Sequence, residues 1–297
     1  MIYRKFDKLD IKTSLLGFGC MRFPTLKDGK IDETKAEQMI DLAIKNGVNY
    51  IDTAYPYHNG DSEPFLGKIL NKYPRNIYFL ATKLPIWAIE NKDDVYRIFD
   101  EQLQRLETEY IDFYLLHAMN KDYFAKVKEL GIIEICEEFR KEGKIKYLGF
   151  SFHDSYEVFD EILNHYHWDF CQIQFNYMDT EIQAGLKGYE LAKAKDIPLI
   201  VMEPIKGGLL AKLPKEISMM FSQNGNRKSD SSYALRYIAS FDHVKVILSG
   251  MSTLEQVEDN LDTFNNYTEL SKEEHITIEK VVNSLKSRLK NGCSGWW

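Results

Sequence analysis

Eight short apolar runs, separated by amphipathic segments, constrain the fold more than any other feature of the 297-residue chain. They read LLGFGCM (15–21), YIDTA (50–54), IYFLATKL (77–84), IDFYLLHA (111–118), IKYLGFSF (145–152), FCQIQFNY (170–177), IPLIVMEP (197–204) and VKVILSGM (244–251). Each is apolar nearly throughout, the pattern of a strand buried on both faces. Between them lie segments with apolar residues three and four apart: DETKAEQMIDLAIKNG from Asp32 to Gly47, DDVYRIFDEQLQRLE at 93–107, then IIEICEEFRKEGK, YEVFDEILNHY, IQAGLKGYELAKAKD, SSYALRYIAS and TLEQVEDNLDTF. Strands and helices alternating in this way make a parallel sheet covered by helices. A doubly wound sheet shares the alternation, and a count of eight favours closure into an α/β (β/α)8 TIM barrel. MIYRKFDKLDIK at the start reads as a short hairpin, and SKEEHITIEKVVNSLKSRLK (271–290) as an additional terminal helix. The expectation is one barrel domain over 1–297, with a C-terminal helix and tail from about 271.

Charge and cysteine usage narrow the function. A net charge of −7, with no basic tail or stripe, argues against a general nucleic-acid binder, which needs clustered Lys and Arg to release counterions. The N-terminus lacks the apolar core of a signal peptide, and no window approaches the length of a membrane span, so a cytoplasmic protein is expected. Cys20, Cys136, Cys171 and Cys293 are scattered, which suits reduced thiols better than a disulfide framework or a zinc site.

In a barrel of this kind, the C-terminal strand ends face the active-site mouth. The polar residues of the runs collect there. Asp52 follows the second run, Lys83 ends the third and His117 the fourth. Ser151 and His153 end the fifth, Gln172, Gln174 and Asn176 lie on the sixth, and Glu203 ends the seventh. A carboxylate such as Asp52 inside an apolar strand costs several kcal/mol unless it is paired, and Lys83 on the next strand is the expected partner. Buried ion pairs stabilise weakly compared with apolar replacements, so a working role is the first suspicion.

At these positions the chain resembles the aldo-keto reductases, whose pattern is an Asp, a Tyr five residues later, a Lys ending the next strand and a His ending the one after. Here these are Asp52, Tyr57, Lys83 and His117, and the resemblance runs from GFGCM to GMSTLEQVEDN. It implies reduction of an aldehyde or ketone by NADH or NADPH, with no covalent intermediate and no metal. Tyr57 would be the general acid, and a nearby Lys83 would move its pKa downward. Asp52 would fix the ammonium, and His117 would polarise the carbonyl. Tyr55 is the rival for the acid, disfavoured by its three-residue offset.

The resemblance also implies a cofactor cradle across the barrel mouth, in place of a Rossmann domain; GFGCMR carries only half of a G-x-G-x-x-G. Cys20, Met21 and Asp52 would lie beside the cofactor, with Ser151 and Gln172 on its carboxamide and Met202 where relatives stack an aromatic. Pro204, Gly207 and Gly208 would approach the pyrophosphate. Gly250, Ser252, Gln256 and Asn260 would take the adenosine end, at a helix N-terminus that favours phosphate. No Lys or Arg lies between Gly250 and Gln256 to meet a 2′-phosphate, while Glu255 lies there and Asp259 follows, which gives NADH weight. Arg227, Lys228 and Arg236 are the cations that would restore NADPH use. GFSFHD and VMEPIKGG resemble a bacterial branch that often continues into a ferredoxin-like module. One cysteine in NGCSGWW cannot hold a cluster that takes four, so no iron-sulfur centre is expected.

Other chemistries fit less of the sequence. His165 and His167 form an H-x-H pair, on the side of the barrel away from the rim. Asp52 and Glu203 would serve as a glycosidase pair, which leaves Lys83 and Tyr57 without work. The remaining alternative is a cofactor-binding regulatory protein of the same fold with little turnover. The expected partner is a small carbonyl compound, with Trp87, Phe124, Trp296 and Trp297 as candidates for an apolar wall around it.

Overall fold

The computed structural model describes residues 1–222 and 228–290. An antiparallel hairpin, β1 (Tyr3–Phe6) and β2 (Ile11–Ser14), precedes the first barrel strand, β3 (Leu16–Gly19). Then follow α1 (Glu33–Lys45), β4 (Tyr50–Asp52), α2 (Ser62–Leu70), β5 (Phe79–Leu84), α3 (Lys92–Arg105), β6 (Ile111–Met119), α4 (Lys121–Leu130), α5 (Ile132–Lys141), β7 (Ile145–Phe152) and α6 (Tyr156–His165). The chain continues through β8 (Phe170–Gln174), α7 (Gly185–Ala194), β9 (Leu199–Met202), α8 (Lys215–Ser222), α9 (Asp230–Ala239), β10 (Val244–Gly250), α10 (Leu254–Asn265) and α11 (Lys272–Lys290). Strands β3 to β10 form a closed parallel barrel, with β10 pairing back onto β3. That pairing excludes the doubly wound sheet.

The near-continuous apolar runs follow from burial on two sides. One face of the strands packs under the helices, where Ile51, Leu80, Leu116, Leu148 and Val201 join helix residues such as Met39, Phe99 and Phe139. The other face fills the barrel interior around Phe113, whose ring lies 5.0 Å from those of Tyr50 and Phe170 and 5.1 Å from that of Tyr147. Phe6 of the hairpin reaches the same cluster at 5.7 Å from Phe113, so β1 and β2 seal the end opposite the site. A third cluster joins α8, α9 and α11 through Ile217, Phe221, Tyr233, Ile278 and Val281.

Helix boundaries follow capping chemistry. Asp32 caps α1 by accepting from Lys35 N, and Asn91 caps α3 in a reciprocal box with Asp94. The segment after β6 holds α5, expected from IIEICEEFRKEGK, and before it α4, which the sequence reading did not pick out; the two are broken at Gly131 with φ 63°.

Five strands end short of their runs, β4 at Asp52 and β10 at Gly250 among them, and at the other three the shortfall moves a candidate residue. β3 stops at Gly19, and Cys20–Arg22 turn as a 3₁₀ helix. β8 stops at Gln174, so Asn176 lies in the following loop. β9 stops at Met202, and Glu203 takes a left-handed backbone conformation, φ 55°, immediately beyond it. Arg227 and the tail residues Cys293, Trp296 and Trp297 lie outside the described residues.

Candidate active site

The strand register builds the centre of the site. Asp52, last in β4, pairs with Ala81 of β5, and Lys83 is two residues further along the same face as Ala81. Both side chains therefore point into the barrel, and Lys83 Nζ donates to Asp52 Oδ1 at 2.6 Å with neither group more than 3% exposed. The ammonium has three protons to place. A second goes to the Thr53 carbonyl at 2.6 Å, and the third direction is taken by Tyr57 Oη at 3.4 Å.

Tyr57 reaches this point from a turn, Tyr57–Gly60, in which His58 and Asn59 both hold positive φ. That geometry is costly for residues other than glycine and persists where surrounding contacts impose it. One such contact is His58 Nε2, which accepts from Phe23 N at 3.2 Å. Tyr55 is committed elsewhere: its hydroxyl donates to Glu101 at 2.9 Å and its ring lies under Arg105 at 4.2 Å. Of the two tyrosines, Tyr57 faces the cavity. The His117 ring lies 6.2 Å from that of Tyr57, and Trp87 packs 5.0 Å from His117 on the outer side.

Burial sets the electrostatics. It works against the Lys83 ammonium, but Asp52 and Tyr57 outweigh it and hold the lysine above its ordinary range. Burial pushes Asp52 up against the pull of Lys83. Burial, then Lys83 and His153, drives His117 well below the usual imidazole range, so the ring is neutral at pH 7. Tyr57 departs from the downward shift expected of it. Burial of the phenol outweighs Lys83, and the hydroxyl titrates above its ordinary value, which leaves it protonated.

A cavity of about 800 Å³ opens over this centre, lined by residues at or next to the C-terminal ends of all eight barrel strands. Met21, Ser151, Gln172, Met202, Pro204, Gly207, Gly208, Gly250, Ser252, Gln256 and Asn260 all line it. Cys20 does not: the 3₁₀ turn aims its fully buried thiol at the Phe18 carbonyl, behind the wall that Gly19 and Met21 form. Phe124 is likewise no part of a substrate wall, being buried against His165 outside the barrel. Lys228 pairs with Asp262 at 3.0 Å. Arg236 is buried in a fork with Glu274 at 2.8 and 2.9 Å, so neither cation lines the cavity.

The cavity suits a dinucleotide with a carboxamide end. Gln172 donates to the Met202 thioether at 3.4 Å and leaves its buried Oε1 without a partner, an acceptor suited to an amide N–H. Ser151 Oγ accepts from Ala118 N at 2.8 Å. Gly207 and Gly208 hold φ of 62° and 101°, and no atom lies within 4 Å of where a Cβ at 208 would stand, so the backbone there is bare to the cavity. At the far end Gln256 folds back to accept from Ser252 N at 2.7 Å, and Asn260 donates to Ser249 Oγ at 2.7 Å.

Several lining residues escaped the sequence reading as site members. Arg22 and Lys212 are cations on the wall, each single in its segment and without periodicity to betray it. Ser229 and Ser231 donate to Asp259 at 2.7 and 2.6 Å. Asp259 itself is weighed in the sequence together with Glu255, as a charge against a 2′-phosphate, and it lines the cavity with Gln256 and Asn260 on one face of a helix. Among the described residues no three His, Cys, Asp or Glu side chains are grouped to hold a metal ion.

Comparison with known proteins bears on the same architecture. The chain matches the model of the aldo/keto reductase family over residues 15–283. It is 28% identical over 292 residues to the uncharacterized oxidoreductase YqkF of Bacillus subtilis, covering 88% of this chain and 90% of that protein. It is also 28% identical over 223 residues to the NADH-specific methylglyoxal reductase of Escherichia coli, covering 68% of this chain and 66% of that one. The solved structure of the aldo-keto reductase AKR11C1 from Bacillus halodurans, holo form, superposes with a TM-score of 0.79 at 29% identity, over 95% of this chain and 96% of the other. A barrel whose strand ends carry Asp, Tyr, Lys and His around one cavity, and a family match that spans nearly all of it, lead to one conclusion: the chain belongs to the aldo/keto reductase family.

Proposed function

We propose that the chain reduces an aldehyde or ketone to an alcohol with Tyr57 as proton donor and NADH as preferred reductant. As a member of its family the chain is an NAD(P)-dependent oxidoreductase. The nicotinamide, when bound, supplies the hydride to the carbonyl carbon. The chain's own residues supply orientation and the proton.

The observation that carries the reading is the placement of the Lys83 protons. Two are held by Asp52 and the Thr53 carbonyl, and the third is directed at Tyr57 Oη, which lies at the cavity floor. Burial keeps the phenol protonated while Lys83 favours the phenolate it becomes, so the donor is loaded at rest and its conjugate base is stabilised after transfer. His117, neutral in this setting, offers a hydrogen bond to the carbonyl oxygen without competing as an acid. Gln172 and Ser151 orient the carboxamide, and Met202 gives a soft apolar contact in place of an aromatic one. Trp87 packs on the His117 ring at 5.0 Å, with Tyr123 6.4 Å beyond it, an aromatic surface next to the cavity that suits an apolar or aryl carbonyl.

The acidic side chains at the adenosine end support NADH. Glu255 and Asp259 line the cavity there against the single cation Arg22 beside Gly250, and a 2′-phosphate would add charge of the prevailing sign. The relative named for NADH and methylglyoxal points the same way. Tyr57→Phe tests the whole reading. Cofactor affinity, followed by fluorescence titration, is expected to stay within about twofold, while the rate of NADH oxidation with an aldehyde panel falls by about a hundredfold or more. Equal turnover by parent and variant would remove Tyr57 as the donor. Cofactor binding by the parent with no turnover on any carbonyl would favour the regulatory reading.

A further inference from the structure

Outside the cavity wall, behind Lys83, lies a buried polar cluster that the reaction itself does not use. Glu63, fully buried in the first turn of α2, accepts from Thr82 Oγ1 at 2.6 Å and from Gln102 Nε2 at 2.8 Å. Gln102 Nε2 also reaches the Lys83 carbonyl at 3.0 Å, and Tyr114 donates to Gln102 Oε1 at 2.7 Å. The Glu63 carboxylate and the Lys83 carbonyl only accept, so they fix the NH2 end of the amide toward themselves and leave Oε1 to accept from the Tyr114 hydroxyl. Arg105 lies 3.4 Å from Glu63 Oε2, bonds Glu101, and covers the ring of Tyr55.

These contacts bracket one segment. Tyr55 stands two residues before Tyr57, and Glu63 six residues after it. Arg105 ties both ends of that segment to α3, and Ser62 adds a bond from its hydroxyl to that of Thr53 at 2.8 Å. From the same helix, Gln102 holds the backbone of Lys83. We propose that Glu63, Gln102 and Arg105 are positioning residues, through which α3 and α2 hold the Tyr57 hydroxyl against the Lys83 ammonium. The inference rests on the reading of Tyr57 as proton donor. A strained turn carrying a donor only 3.4 Å from its cation needs such an outer frame, because hydrogen-bond strength falls steeply with misalignment.

The titratable groups that act on the Tyr57 hydroxyl are Lys83, Asp52 and, from behind the wall, the Cys20 thiol, while His117 stands across the cavity. Only Lys83 among them favours the phenolate by direct contact. Loosening the frame therefore moves the titration of Tyr57 upward, and the alkaline limb of kcat for reduction moves with it. Glu63→Gln and Arg105→Met are expected to lower kcat by about tenfold and to shift that limb upward by about half a pH unit or more, with NADH affinity within about twofold of the parent. Arg105→Lys, which keeps the charge and loses the planar fork, is expected to fall between. If kcat drops but the pH profile stays at the parent's position, the cluster is merely structural and the proposal is overturned. Should Glu63→Gln or Arg105→Met fail to fold, Arg105→Lys decides by the same profile. Tyr57→Phe, assayed alongside, separates the two claims: an active Tyr57→Phe removes the donor, whereas an inactive one with unmoved profiles in the other variants removes only the positioning role.

Discussion

Glu255 and Asp259 stand four residues apart on α10, on the face that borders the cavity. Glu255 also lies in the first turn of α10, where its own backbone N–H and the Thr253 side chain hold its carboxyl below the ordinary range. Asp259 has the hydroxyls of Ser229 and Ser231 on one oxygen. On the NADH reading, Glu255→Lys is expected to narrow the ratio of NADPH to NADH dissociation constants by about tenfold, close to 1.4 kcal/mol, as read by fluorescence titration with each nucleotide. An unchanged ratio would place the 2′-hydroxyl away from Glu255. What the sequence made legible at this scale has a physical pattern. Asp52, Lys83 and His117 stood out because an ionisable side chain at the end of an apolar strand has few structural uses. Cys20 misled because the apolar run continues through it while the strand stops at Gly19. Glu63, Gln102 and Arg105 were invisible as a group, since polar residues on amphipathic helices ordinarily read as solvent faces, and only the barrel brings α2 and α3 onto one strand.

The helices α1, α3, α5, α6, α7, α9, α10 and α11 fall within segments picked out by apolar periodicity, whereas α2, α4 and α8 did not declare themselves. α2 begins inside the polar NGDSEP stretch that looks like loop, and α8 is eight residues long. Arg236 shows how an element changes the meaning of a residue. As a lone cation it was a candidate for a phosphate, but α9 points it at α11, where Glu274 takes two of its bonds and the Thr268 and Glu269 carbonyls take two more. Burial alone would raise the Glu274 carboxyl, and the Arg236 fork outweighs it to hold the group below its ordinary range. A depressed carboxyl stabilises above the unfolded pKa, and that contribution is lost as pH falls through the folded value. Glu274→Ala is therefore expected to lose about 3 kcal/mol at pH 7, read from the urea midpoint, by leaving a buried guanidinium without its anion. The gap between parent and variant should close as pH falls from the ordinary glutamate range through the lower folded value, where the parent's own carboxylate becomes protonated. A gap independent of pH would mean that packing of α11, not the ion pair, accounts for the loss.

At the scale of the molecule, the cavity wall takes one or more residues from each of the eight barrel strands: Gly19, Asp52, Lys83, His117, Ser151, Gln172, Met202 and Ser249. Those residues span 231 positions of sequence and meet only when β10 closes onto β3. A ligand that touches this wall along its length binds the closed barrel and nothing less folded. By linkage, NADH at one hundred times its dissociation constant should stabilise the folded chain by about 2.7 kcal/mol. With an unfolding entropy of about 2 cal/mol/K per residue, that corresponds to a rise in Tm of roughly 4 °C. The interior around Phe113 draws on β1, β4, β6, β7 and β8 together, so melting is expected as one transition that moves as a unit. The α8, α9 and α11 cluster is separate from that interior and joins the main core through Ile205 and Tyr237. If calorimetry resolves a second transition that ignores NADH, that cluster would be its source, and the barrel alone would carry the cofactor.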